Sequence, residues 1–426
     1  MILLTHYVKY ATNILLLFYL CFLVSNKSAA QEKAKANPVT VENAIEIALE
    51  NNLQLAAARK KIDAAEAEQL KSSILLPSNP ELKSEIGTRN SPEERHTDYT
   101  ISLTQEFEIY GQRQKRMRVA QKNIERVKYE IANEERNVIA EVKTGFYEAL
   151  TSLEIVKLQE DVEAIFEKLW TATKERYDAG AISALELNSI KIGYGQARQQ
   201  LLLAKKDYQN NLLNLKHLLG KPKDETLSIE GKLSYEKLQI TMDDILAYAY
   251  KSRPDLKALE NEKERASLEI KLRKSEIVPN PGISGFFTRE EGTDDIVGGE
   301  VSISIPVWDR KQSELKKART AKDVASININ NKYLEIQKEV GSACRNFMAA
   351  SEGIAIYTDE IMPQVEESLQ LNEISYKEGK VSFIEFLTMQ SNLLETRAAY
   401  LNALLDYNNA IVNLETVSGM DLISSS

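Results

Sequence analysis

The sequence predicts a mostly α-helical chain with a small β part: long coiled-coil helical hairpins in two repeats, each carrying a β-hairpin. Three observations predict it. The second half of the chain repeats the first, long stretches lack proline and are rich in helix formers, and two short segments alternate apolar with polar residues. Residues 177–220 align without a gap on 376–419, and 13 of those 44 positions are identical, among them Tyr177/Tyr376, Gly180/Gly379, Ser183/Ser382, Glu186/Glu385 and Gly220/Gly419. Residue frequencies alone would give roughly three. Solenoid units run about 20–50 residues, so this period instead indicates two copies of a half-domain. The first structural repeat is placed at 31–230 and the second at 231–426.

Residues 1–30 read as an export leader. Lys9 precedes an 11-residue apolar run, Ile14 to Val24, and Ser28-Ala29-Ala30 supplies small residues ahead of Gln31. A spanning helix needs about 20 apolar residues. Leu20, where a lipoprotein signal has a small residue, argues against lipidation of Cys21. Cleavage after Ala30 removes Lys9 and Lys27 and no acids, taking the net charge from −9 to −11 and leaving Cys344 as the sole cysteine. The acidic balance disfavours nucleic acid. The remaining chain has no long apolar run, so it would enter a membrane only as a β-barrel.

Pro92 and Pro222 bracket 129 residues without proline, mostly Glu, Lys, Ala, Leu and Gln. A helix from about Gln112 to Arg176 would be close to 100 Å long and needs lateral partners. From Ile190 the small or apolar positions Tyr194, Ala197, Leu201, Ala204, Tyr208, Leu212, Leu215 and Leu219 follow in threes and fours, a coiled-coil seam. Met389, Leu393, Tyr400, Ala403, Tyr407, Ile411 and Leu414 form its counterpart.

Strict alternation marks strands at about 97–109 (Tyr99, Ile101, Leu103, Phe107 and Ile109 apolar) and 296–307 (Val301, Ile303, Ile305 and Val307 apolar). Each pairs with a preceding candidate, 81–90 or 282–290, behind a proline pair, Pro77/Pro80 or Pro279/Pro281. A soluble half-buried hairpin and a membrane strand share this pattern; the leader and the long helices favour the membrane. Four strands cannot close a membrane barrel, since the smallest have about eight, so a barrel requires two or three copies.

At this point the chain resembles the TolC family of outer-membrane efflux proteins, over about residues 38–420. The markers are the turns Tyr177-Asp-Ala-Gly-Ala-Ile-Ser-Ala-Leu-Glu-Leu and Tyr376-Lys-Glu-Gly-Lys-Val-Ser-Phe-Ile-Glu-Phe-Leu, and the strand ends Gln105-Glu-Phe-Glu-Ile-Tyr-Gly-Gln-Arg-Gln-Lys-Arg and Ile305-Pro-Val-Trp-Asp-Arg. The Gly-Gln-Arg-Gln-Lys-Arg form is most similar to the branch exporting heavy-metal cations. The resemblance implies a homotrimer with a 12-stranded outer-membrane barrel above a periplasmic helical tunnel. Its implied partners are a periplasmic adaptor (membrane fusion) protein, an inner-membrane pump of the RND type and outer-membrane lipid. It implies a passive exit duct without cofactors, for heavy-metal cations or else drugs or other small molecules. The competing reading is a periplasmic coiled-coil adaptor or scaffold, which would leave apolar-out, Ser/Thr-in strands unexplained.

The tip turns fall at 177–186 and 376–385. Gly180 and Gly379 suit left-handed helix C-caps, and Ser183 and Ser382 suit N-caps of the return helices, closing capping boxes with Glu186 and Glu385. The resemblance adds Ala179, Gly180, Ala181, Glu378, Gly379 and Lys380 as adaptor contacts, Glu186 and Glu385 as an anionic ring at the aperture, and Tyr376 as a gate tyrosine. Thr388 stands where a second acid often occurs. Pro363 is expected to kink or split the long second-repeat helix. The chain reads as no enzyme: His96 and His217 are far apart, no Cys/His set has zinc spacing, and no P-loop or nucleophile–base pair is present.

Overall fold

A computed structural model describes residues 38–90, 94–291 and 293–420; the expected leader and Cys21 lie outside them. In the first repeat, helix α1 (Val41–Asn51) is capped by Thr40, whose hydroxyl accepts from Asn43 N at 3.4 Å. Asn52 ends α1 and opens α2 (Leu53–Ser73) by accepting from Leu55 N at 3.0 Å, and its amide donates to Leu218 O at 2.9 Å. Strands β1 (Glu81–Asn90) and β2 (Arg95–Glu106) follow, then helices α3 (Gln112–Asp178) and α4 (Ala184–Leu218).

The second repeat runs α5 (Met242–Ser252), α6 (Pro254–Ser275), β3 (Pro281–Glu290), β4 (Asp294–Ile303) and α7 (Gln312–Ile356). A π-helical turn (Tyr357–Ile361) leads into α8 (Met362–Lys377), and α9 (Phe383–Ser418) returns.

Helix α3 has 67 residues, about 100 Å at 1.5 Å per residue. Its length is covered by α2, α4, α6 and α9 in succession, which is the lateral support such a helix needs. The corresponding second-repeat helix is divided. Pro363 offers no N–H and crowds the preceding turn, and the π-helical turn just before it absorbs the mismatch, so α8 starts afresh with proline in its first turn.

The repeat is visible in the cores. In the first, Ala44, Ala48 and Leu55 pack on Val138, Val142, Phe146, Leu150, Leu215 and Leu219. In the second, Ile245, Ala249 and Leu256 pack on Ile336, Val340, Phe347, Tyr407 and Leu414, and the thiol of Cys344 is buried there as a small apolar group. Val412 of α9 belongs to the first core, which ties the halves together along α3 and α9.

The four strands form one antiparallel sheet in the order β1-β2-β3-β4. Pairing of β2 with β3, Tyr99 opposite Arg289 through Glu106 opposite Gly282, joins the two hairpins. The sheet ends at Glu106 and Ile303, short of the alternation at Phe107, Ile109, Ile305 and Val307. Phe107 N makes one last bond to Pro281 O at 2.9 Å, Pro306 has no donor, and both chains then turn through left-handed residues, Gly111 (φ 68°) and Lys311 (φ 56°). At each turn a glutamine that opens the helix reaches back: Gln112 Oε1 accepts from Tyr110 N at 2.9 Å and Gln312 Oε1 from Arg310 N at 2.7 Å. Among the described residues, no helix is long and apolar enough to cross a membrane.

Candidate functional site: the sheet faces and the hairpin tips

Because directly opposed residues share a face, the register sorts the sheet. One face carries Leu82 and Ile86, Tyr99, Ile101 and Leu103, Ile283 and Phe287, and Val297, Val301 and Ile303. The other carries Lys83, Glu85 and Arg89, the Thr100, Ser102 and Thr104 row, Ser284 and Thr288, and Glu300 and Ser302. Hydroxyls meet across strands, Thr100 to Thr288 at 3.0 Å and Thr104 to Ser284 at 2.8 Å. Arg89 holds Asp98 at 2.9 Å, Glu291 at 3.1 Å and Glu290 at 3.2 Å at the loop end of the polar face. Phe286 departs from the pattern: it lies on the polar face with its ring over Gly298, where an added Cβ would sit 2.4 Å from the ring. The apolar face is bare within the protomer; Val297 is 81 % exposed. Among the described residues, the outer edges of β1 and β4 have no partner strand.

At the far end of the helices the two tips share one backbone solution. Gly180 N donates to Tyr177 O at 2.8 Å and Ala181 N to Arg176 O at 2.8 Å; Gly379 N donates to Tyr376 O at 3.0 Å and Lys380 N to Ser375 O at 2.9 Å. Both glycines are left-handed, φ 73° and 70°, where a side chain would clash with the carbonyl. Ala179, Gly180 and Ala181 present a neutral exposed surface, whereas Glu378 and Lys380 flank Gly379 as an ion pair 2.5 Å apart.

The capping serines differ in what they recruit. Ser183 Oγ accepts from Glu186 N at 3.2 Å. Ser382 Oγ accepts from Glu385 N at 3.2 Å, and Glu385 Oε2 accepts from Ser382 N at 2.8 Å, completing the capping box. That backbone bond holds the Glu385 carboxyl below the ordinary carboxylate range. Glu385 is thus engaged at its own helix start. Glu186 lies instead beside Tyr376, whose hydroxyl is pushed up in pKa mainly by burial and further by this carboxylate, against the Arg176 guanidinium that bonds it. Thr388 Oγ1 donates to Ile384 O at 2.9 Å, within its own helix.

Tyr376 therefore connects the hairpins. Its ring stacks on Phe386, centroids 4.8 Å apart with planes at 28°. Phe386 packs against Ile190, which is fully buried, with Leu169 and Trp170 of the first hairpin alongside. Asn372 Nδ2 donates to Phe386 O at 3.1 Å and fixes the start of α9 against α8. Arg176, Leu169 and Trp170 were invisible to motif reasoning, because each looks like an ordinary helix residue, and Phe386 stood in the second turn's motif with no role attached to it. Ile190 was legible only as the first position of a seam. Among the described residues, no group of His, Cys, Asp and Glu side chains could hold a metal ion.

A sheet with one apolar and one polar face, mounted on long helices of which α3 reaches about 100 Å, defines the class: a membrane channel with a helical conduit. The model of the family described as outer membrane efflux protein matches residues 44–221 and 246–420, one segment per repeat, and the chain belongs to that family. It is an outer-membrane efflux channel and not an enzyme. The chain is 23 % identical over 386 residues to the cobalt-zinc-cadmium resistance protein CzcC of Cupriavidus metallidurans, covering 90 % of this chain and 91 % of that one. It is 22 % identical over 328 residues to the nickel-cobalt-cadmium resistance protein NccC of Alcaligenes xylosoxydans xylosoxydans, covering 75 % and 72 %. The fold matches the crystal structure of a membrane protein from Pseudomonas aeruginosa with a TM-score of 0.73 at 18 % identity, covering 89 % of this chain and 92 % of that one.

Proposed function

We propose that the channel is a homotrimeric exit duct of a tripartite efflux system, and that its cargo is heavy-metal cations. Each protomer gives four strands to one 12-stranded barrel in the outer membrane, and the helices continue as a tunnel through the periplasm. The observation that carries this reading is the sheet itself: bare apolar side chains on one face, hydroxyls and charges on the other, and two open edges. Exposed edges invite further pairing, and a membrane permits only a closed barrel. Three copies satisfy both conditions.

The tips, Ala179-Gly180-Ala181 and Glu378-Gly379-Lys380, meet a periplasmic adaptor, which links the duct to an inner-membrane pump of the RND type. Glu186 and Tyr376 form the aperture, with Glu186 supplying its negative charge and Glu385 serving its cap. An anionic aperture favours cations. Relatives named for cobalt, zinc, cadmium and nickel resistance support the same cargo. Export by the leader delivers the chain.

The test is fractionation of unheated membranes and mass determination of the detergent-extracted protein, followed by conductance with Glu186→Gln. An outer-membrane trimer whose cation preference falls in the variant is expected. A periplasmic monomer would overturn the assembly, and an unchanged preference would overturn the role of Glu186.

A further inference from the structure

Helix α3 packs on α2 of its own repeat and on α6 of the other. Its counterpart α7 packs on α6 of its own repeat and leaves Val324, Ile327 and Leu334 exposed. We propose that these residues receive α2 of a second copy of the chain. The seam between α3 and α6 inside one protomer is then repeated between protomers, as a seam between α7 and the neighbour's α2. The proposal rests on the trimer reading above and names the contact that holds the trimer's helices together.

The two repeats match at fixed offsets. Val138, Val142 and Phe146 of α3 hold the same core places as Ile336, Val340 and Cys344 of α7, each 198 residues on. Leu55 and Ala65 of α2 match Leu256 and Ala266 of α6, each 201 residues on. A contact obeys both offsets: Gln54 of α2 bonds Glu134 of α3, and their counterparts Asp255 and Lys332 lie 3.7 Å apart. Inside the protomer the seam is ionic. Lys122 of α3 holds Glu264 of α6 at 2.8 Å, Arg126 reaches Glu262 at 3.4 Å and Arg136 reaches Asp255 at 4.0 Å. The Lys257 ammonium lies 5.9 Å from the centroid of the Tyr129 ring. At the same offset, Arg126, Tyr129 and Arg136 become Val324, Ile327 and Leu334 on α7. Ile327 is 65 % exposed and Leu334 64 %. The facing helix shows the same contrast. Ala258 of α6 is buried and its counterpart Ala57 of α2 is exposed, and Leu53, in the place of Pro254, is 79 % exposed.

The bare flanks of α7 and α2 thus stand where α3 and α6 are covered, and they are the two halves of one contact that a single chain cannot close. The occupant is a second copy and not another protein, because the chain already holds the covering helix, α6, and the counterpart of that helix, α2, is itself bare. The change from ionic to apolar follows from what each seam must overcome. The internal seam joins parts of one chain, so its helices are already held near each other. Separate copies lose translational and rotational freedom on meeting, and burial of apolar surface offsets that loss. The change also keeps the two seams from being exchanged. A neighbour's Val324 and Leu334 set against Glu262 and Asp255 would leave those carboxylates without cations.

The test places Gln54→Cys and Leu334→Cys together in the full-length protein and treats membranes containing it with a short bismaleimide. Cys344 is buried, and each single variant controls for it. Expected is a ladder of two and three linked chains and none longer. Leu70→Cys in place of Gln54→Cys moves the thiol roughly 24 Å along α2 and should abolish linking. A second measurement follows the heat dissociation of the detergent-extracted trimer. Leu334→Arg puts an unpaired charge into an apolar seam, which should weaken each seam roughly a hundredfold and shift dissociation to lower temperature. Adding Gln54→Asp and Glu134→Lys transplants the internal grouping of Arg136, Asp255 and Lys332 and should restore it. A dissociation temperature unmoved by Leu334→Arg, or not recovered by the transplant, overturns the pairing. A trimer by mass that gives no linked chains, or links only to a chain of another mass, overturns the seam while the trimer stands. A monomer by mass overturns the trimer reading and the seam with it.

Discussion

Ile190→Ala should open the periplasmic tip. Ile190 is fully buried where the first hairpin meets Phe386 and Tyr376 of the second. Truncating such a side chain removes its transfer free energy and leaves a void, together about 2–5 kcal/mol. A central value of ~3 kcal/mol is roughly a hundredfold in an equilibrium constant. A tip open one part in about a hundred would then be open about half the time. The assay is single-channel conductance of the full-length protein in planar bilayers. The matched control is Ile354→Ala, which removes the same atoms from a fully buried position in the second core. That site lies roughly 33 Å along the helices from Tyr376. Both variants should lose thermal stability, but only Ile190→Ala should raise the open fraction. Equal conductance changes in the two, or none at Ile190, would refute the idea that this cluster latches the hairpins.

Three further outcomes are expected. Arg253, 3 % exposed, bonds Asp255 at 2.6 Å, Glu339 at 2.5 Å and Val417 O at 3.3 Å; Arg253→Ala should cost about 3 kcal/mol in unfolding, the low end for a broken buried pair because Glu339 is half-exposed. Lys311→Gly should raise the melting temperature of the detergent-solubilised protein, because a non-glycine residue at φ 56° carries about 1–2 kcal/mol of strain that glycine does not. The capping box at Ser382 should weaken in acid: the Glu385 carboxyl is held below its ordinary value of 4.5, so its contribution is present above that pH and is lost as pH falls through the lower folded value. Hydrogen exchange of the Ser382 amide should accelerate over that acid range, relative to intrinsic rates, and Glu385→Ala should abolish the dependence.

Much of the tip was legible because its causes are local. A left-handed residue after a helix calls for glycine, and a helix start with free N–H groups calls for serine, so Gly180, Gly379, Ser183 and Ser382 stand out in the chain. The fates of Glu186 and Glu385 were not legible. They occupy equivalent positions in the repeat, yet one closes a capping box and the other lies beside Tyr376, a difference that no pattern within either segment encodes. The left-handed turn at Gly111 was foreseeable in kind, whereas the same turn at Lys311 carries no sequence signal and is imposed by the strand-to-helix connection it repeats.

By itself the sequence determined the duplication, the helical and strand periods, the caps and the apolar–polar alternation of the sheet, since each is set by spacing within one segment. The tertiary structure decided which segments meet: β2 against β3 across the intervening residues 107–280, Phe386 against Ile190, Val412 in the first core, and a π-helical turn where proline would otherwise break the tunnel wall. Those choices depend on which faces are left to cover once every local preference is met, and no window of sequence contains both partners.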